Sequence, residues 1–183
     1  MNYCSECGAP VILKVPLGDN LPRYVCGRCH AIHYQNPKMV VGCIPEQGHE
    51  ILLCRRAIDP RYGLWTLPAG FMENGETTAA AAAREAQEEA NAQVDIGCLF
   101  SLFNLPHINQ VYLIFHGRLL NADYAAGTES LEVRLFRETD IPWDQLAFPA
   151  IQHTLQHYYE DRRNGKLSFH MGDITAPMPA AGR

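Results

Sequence analysis

The stretch GETTAAAAAREAQEEANA, residues 75–92, sets Glu85, Glu88 and Glu89 within five residues, beside Arg84 and downstream of Glu76. Its alanine-rich middle is a strong helix former. Yet like charges three and four residues apart on a helix repel each other and weaken it. At 3.6 residues per turn the three glutamates share an arc of about 100° on one face. Carboxylate oxygens gathered this way suit a hard cation, Mg²⁺ or Mn²⁺, which turns repulsion into coordination. A solvated, charged helix end is the alternative reading of the same residues. Arg84, next to Glu85 and two turns after Glu76, is placed to orient the acidic cluster through an arginine–carboxylate contact.

A second constellation lies near the N-terminus. Cys4-x2-Cys7 and Cys26-x2-Cys29 are separated by eighteen residues, the paired-knuckle spacing of a zinc ribbon. Four thiolates satisfy tetrahedral zinc and leave no open position, so such a site is structural. A segment of this size builds too small a core to fold unaided, and metal binding supplies the missing energy. His30 and His33 lie nearby, but four cysteines leave them no vacancy. Cys43, Cys54 and Cys98 fall in apolar runs and read as small buried hydrophobes.

The elements that must position these residues are legible in outline. MVVGCIPEQGHEILLCRRA, residues 39–57, reads as two strands around a turn at Gly48. A short apolar run broken by Pro68 leads into the alanine-rich helix, expected from about Thr77 to Asn91. Further strands are expected near Gln93–Phe103, Gln110–Leu120 and Leu131–Phe136. A second helix is expected over Ala150–Arg163, where Ile151, Leu155 and Tyr158/Tyr159 recur at helical spacing. Strands interleaved with two helices indicate an α/β sandwich. The expected organisation is a zinc ribbon over residues 1–35, a main domain over 36–165 and a tail over 166–183 that ends in a frayed APMPAAGR.

Composition narrows the function classes. Apolar residues make up 47% and charged residues 19%, so a packed core is expected. A formal charge of −5 argues against a general nucleic-acid binder. No apolar run is long enough to span a membrane, and the N-terminus has no secretory signal pattern. Seven cysteines without such a signal point to a reducing compartment, the cytoplasm.

Read outward from the helix, the pattern is Gly70, five residues, Glu76, seven residues, then REAQEEANA. This resembles the Nudix box, with one departure: Asn91 stands where that family has glycine. Asn is the next-best residue for a left-handed helix cap. The segments YQNPKMVVGCI, GLWTLPAGF and LAFP extend the resemblance over essentially the whole chain, ribbon included. Within the zinc-ribbon Nudix hydrolases, the chain is most similar to the bacterial and plant-type enzymes that cleave FAD and ADP-ribose. The Ser-Gln-Pro-Trp-Pro-Phe-Pro signature of the NADH diphosphatases is missing, and SLFNLPHINQ stands after the box instead.

The resemblance implies a Nudix α/β/α sandwich with a mixed sheet, preceded by the ribbon. It implies Mg²⁺ or Mn²⁺ held by Glu85, Glu88, Glu89 and the Gly70 carbonyl, and hydrolysis of a nucleotide diphosphate linkage with release of AMP. Of the two glutamates in GTESLE, Glu129 matches the family's further acid better than Glu132, as the residue that activates water. Gln110 falls in a loop the resemblance places near substrate. Arg55 and Arg56 end a strand, where they serve either phosphate or a surface salt bridge. Trp65 reads as core. A homodimer is implied as well. Three rivals stand beside this reading: an NADH hydrolase, a housecleaning enzyme for oxidised nucleotides, and a ribbon-based nucleic-acid-binding or regulatory protein with a vestigial catalytic domain.

Overall fold

The computed structural model describes residues 1–120 and 122–175, so APMPAAGR lies outside the described residues. Two compact units divide the chain, Met1–Pro37 and Lys38–Arg183.

In the first unit, β1 (Val11–Lys14), β2 (Arg23–Cys26) and β3 (Ile32–His33) form a three-stranded antiparallel sheet. Its core is small. Cys4, Val25 and Cys26 are buried, whereas Ile12, Leu13, Val15 and Leu17 are exposed. So little apolar burial leaves the unit dependent on whatever its cysteines hold.

The second unit begins with β4 (Lys38–Gln47), β5 (Glu50–Arg56) and the short β6 (Trp65–Thr66) and β7 (Ala69–Phe71). Helix α1 (Thr78–Ala90) follows, then β8 (Val94–Leu105), β9 (Gln110–Leu119), β10 (Ser130–Phe136), α2 (Pro149–Asn164) and β11 (His170–Asp173). The sheet runs in the order β10-β5-β4-β9-β8-β11, with β6 added to β5 and β7 to β4. It is mixed: β4 pairs parallel with β9 and β11 parallel with β8, while the other pairs are antiparallel.

Both faces of the sheet are covered, and this explains the continuous apolar runs of β4 and β5. Val40, Ile44, Ile51 and Leu53 pack with Ile151, Leu155 and Tyr158 of α2 on one face. Val41, Cys43, Leu52 and Cys54 pack with Ala81, Ala82, Ala86 and Ala90 of α1 on the other. The result is the three-layer α/β/α sandwich. The alanines let α1 lie close against the sheet, which brings the carboxylates of that helix to the β7 loop. Trp65 is core as expected, edge-on to Phe136 at 4.8 Å.

Two expectations fail. The segment from residue 166 is not wholly a tail, because His170–Asp173 completes the sheet edge beside β8. Cys98 is exposed, not buried. Register shifts between Ile96 and Leu99, and again between Leu99 and Ser101, break the alternation of β8 and turn Cys98 outward. Among the described residues no helix is long and apolar enough to cross a membrane.

Candidate functional site

Helix α1 is capped at both ends as its sequence suggests. The Thr77 hydroxyl accepts from the Ala80 N–H at 3.1 Å, and Asn91 closes the other end in the left-handed region at φ 49°. The glutamates occupy the last two turns, where a helix's partial negative charge makes carboxylates unfavourable. Helix stability therefore does not explain them.

Arg84 holds the cluster together. Its Nε and Nη2 donate to the two Glu76 oxygens at 3.1 and 2.9 Å, and its Nη1 donates to Glu85 at 2.8 Å and Glu88 at 2.9 Å. Nη2 also donates to the Phe71 carbonyl at 3.2 Å, tying β7 to the helix. Hydrogen bonding to Glu76 foremost raises the Arg84 pKa above its usual value, while burial opposes that rise.

Glu85 and Glu89 are 7% and 6% exposed, a degree of burial that charged groups rarely reach without compensation. Burial pushes the Glu89 carboxyl up to about 8, reinforced by the Glu85 charge and opposed by the Ala69 N–H and Arg56. Burial also raises Glu85 above the carboxylate range, against the pull of Arg84. Gly70 presses on the same spot: a Cβ there would lie 2.5 Å from the Glu85 carboxyl. Oxygen donors, high acid density and incomplete compensation fit a hard divalent cation.

These residues form one wall of a cavity of 1130 Å³ lined by Gly70, Glu85, Glu88, Glu89 and Glu129. Glu129 is close enough for its charge to raise the pKa of both Glu85 and Glu89. Arg56, Gln110, Tyr112 and Phe148 line the cavity as well. The buried Arg56 guanidinium stacks on Phe148 at 5.0 Å while its Nε donates to the Pro60 carbonyl at 2.9 Å.

Arg55 is not brought to the cavity. Its Nε donates to the Gly63 carbonyl at 2.9 Å and it meets Glu132 at 3.8 Å. Neighbours on a strand point to opposite faces, so only one of the two arginines can enter. Tyr112 and Phe148 were not anticipated as site residues. They come from β9 and from the residue before α2, and only the LAFP segment hinted at Phe148.

In the N-terminal unit, Cys4 and Cys29 sulfurs stand 3.6 Å apart and those of Cys7 and Cys26 3.5 Å apart. All four lie within 4.8 Å of one another. Tetrahedral zinc with bonds of about 2.3 Å requires sulfurs about 3.8 Å apart, so the four residues fit the ion. Backbone N–H groups of Cys29 and Arg28 pull the Cys26 thiol down to about 6. The His33 ring nitrogen lies 3.2 Å from the Cys4 sulfur, as a support outside the ligand set.

Residues 2–35 match the zinc-ribbon family model described as Nudix N-terminal, and residues 36–161 match that of the NUDIX domain. The crystal structure of a NUDIX hydrolase from Nitrosomonas europaea is 56% identical, with a TM-score of 0.94 over 96% of this chain and 100% of that one. The ADP-ribose pyrophosphatase of Methanocaldococcus jannaschii is 30% identical over 121 residues, 63% of this chain and 69% of that protein. The NAD-capped RNA hydrolase NudC of Stutzerimonas stutzeri is 27% identical over 163 residues, 86% of this chain and 54% of that protein. Across several such NudC proteins the matched region spans from 33% to 57% of their length.

Proposed function

The chain belongs to the Nudix family, with a zinc ribbon ahead of its NUDIX domain, and on that premise we propose that it hydrolyses the diphosphate of FAD or ADP-ribose, releasing AMP. The observation that carries the reading is the single cavity whose lining combines Glu85, Glu88, Glu89 and Glu129 with Arg56, Tyr112 and Phe148. The acids fit a metal-bound diphosphate, and the aromatic residues fit a flat ring.

Glu85, Glu88, Glu89 and the Gly70 carbonyl would hold Mg²⁺ or Mn²⁺, and the ion supplies charge neutralisation at the phosphates and an activated water. Arg84 orients the ligands by clamping Glu76 and bridging Glu85 to Glu88. Glu129 accepts the proton of the attacking water or aligns it. Arg56 offers its guanidinium to a phosphate oxygen, and Gln110 hydrogen-bonds the group beyond it. Arg55, engaged with Gly63 and Glu132, takes no part. Zn²⁺ on the four cysteines stabilises the ribbon and does no chemistry. The protein works in the cytoplasm as a homodimer, and the exposed Ile12, Leu13 and Leu17 of the ribbon unit support the dimer. Sedimentation at a single-chain mass would refute the dimer.

A second reading, hydrolysis of NADH or another NAD-type substrate, draws support from the NudC match, which covers 86% of this chain. One assay separates the two: AMP release from FAD, ADP-ribose and NADH in Mg²⁺, with the wild type and with Glu89→Gln. Turnover of FAD or ADP-ribose, lost by about a thousandfold in Glu89→Gln, is expected if a metal ligand worth several kcal/mol is removed. Faster turnover of NADH would move the substrate to the second reading. Absence of turnover with all three would overturn both.

A further inference from the structure

The segment after β9 carries Glu129 back across the C-terminal end of α1, and the two are tied at three points. The Ala125 N–H donates to the Ala90 carbonyl at 2.8 Å, and the Gly127 N–H donates to the Glu89 carbonyl at 3.0 Å. The Asn91 side-chain amide donates to the Ala125 carbonyl at 3.1 Å. Two of these bonds satisfy carbonyls that a helix end leaves without intrahelical partners. The fit allows no side chain at Gly127, where a Cβ would overlap the Glu88 carbonyl oxygen. On its other side the loop meets β5: the Glu129 carbonyl accepts from the Ala57 N–H at 2.8 Å, and Ser130 stands opposite Arg56 in the sheet. Glu129 is therefore held between the carboxylate helix and the strand that carries Arg56.

Asn91 does two things at once. Its backbone, at φ 49° and ψ 29°, caps the helix, as a glycine in this place would do. Its side chain reaches the loop, which a glycine cannot do. We infer that Asn91, with the clearance left by Gly127, is a positioning residue that latches the Glu129 loop onto the carboxylate helix before substrate arrives. The substitution that departs from the family's glycine thus gives up some cap stability for a hydrogen bond to the loop. The inference rests on Glu129 being the acid that handles the attacking water.

The test is a double-mutant cycle on ADP-ribose hydrolysis in Mg²⁺, using Asn91→Gly, Glu129→Gln and the pair. Asn91→Gly should lower kcat about three- to tenfold, the range one hydrogen bond commands, with KM unchanged. Its thermal midpoint should stay level or rise, because glycine is the better left-handed cap. A merely structural role would instead lower the midpoint along with kcat. In the Glu129→Gln background the effect of Asn91→Gly should vanish. Gly127→Ala should lower kcat further, by about a hundredfold, since it forces the loop off the helix. Equal effects of Asn91→Gly in both backgrounds would overturn the latch and leave the role of Glu129 standing. An unchanged rate in Glu129→Gln would remove that role and the latch with it.

Discussion

The two acidic constellations of this protein solve the same problem in opposite ways. In the ribbon unit four thiols converge to sulfur–sulfur distances of 3.5 and 3.6 Å, and among the described residues no arginine or lysine ion pair reaches them. At the end of α1 three glutamates converge, and the Arg84 guanidinium sits among them, bonded to Glu76, Glu85 and Glu88. The first arrangement is complete only with an ion. The second carries its own counter-charge and, among the described residues, a core of twelve buried residues behind its helix. Density of like charge alone does not reveal whether a metal is needed for folding or for chemistry. The presence of an internal cation and a sufficient core does.

The comparison breaks most sharply at the cysteines. Cys26→Ser should lose stoichiometric zinc and unfold residues 1–37, leaving the second unit folded, because the small unit has little else to hold it. Metal analysis with amide exchange checks this; retained zinc or retained protection in the ribbon would erase the contrast. Arg84→Gln should have the next largest effect. In Mg²⁺-free buffer, with zinc left in place, it should destabilise the second unit by about 2 kcal/mol, the worth of charged hydrogen bonds. Added Mg²⁺ should then raise the melting temperature more than it does for wild type. An equal rise in both proteins would mean that Arg84 does not act as the counter-charge.

The smallest effect concerns pH. Glu89 keeps its proton in the folded protein up to about 8, while an unfolded glutamate loses it near 4.5. Between these values the folded state binds more protons than the unfolded one, so stability falls as pH rises. Without Mg²⁺ the second unit should lose stability between pH 5.5 and 8, and Glu89→Gln should flatten that slope. Melting curves at the two pH values decide it, and an identical slope in the variant would show that Glu89 is not the source.

Local features were legible in the sequence and assembled ones were not. Helix α1 was expected from about Thr77 to Asn91 and runs over Thr78–Ala90, with those two residues as its caps, since capping chemistry is written in neighbouring residues. The ribbon was equally plain, because ligand spacing is local. Strand β11 was missed: HMGD has no apolar period, and only its place beside β8 makes it a strand. Arg55 and Arg56 could not be told apart without knowing which face of β5 turns to the cavity. Phe148 and Tyr112 meet Arg56 from distant parts of the chain, so no window of sequence contains that corner of the site. The latch at Gly127 was invisible for the same reason.

The Arg84 clamp also sets an order of events. A newly made chain can finish folding its larger unit with the guanidinium standing in among the carboxylates, and meet its divalent ion afterwards. The ribbon has no such stand-in and must find zinc while it folds. If the two sites hold their metals as proposed, scarcity would leave different marks: without its divalent ion the larger unit stays intact but idle and revives on supply, and without zinc the N-terminus opens to proteases.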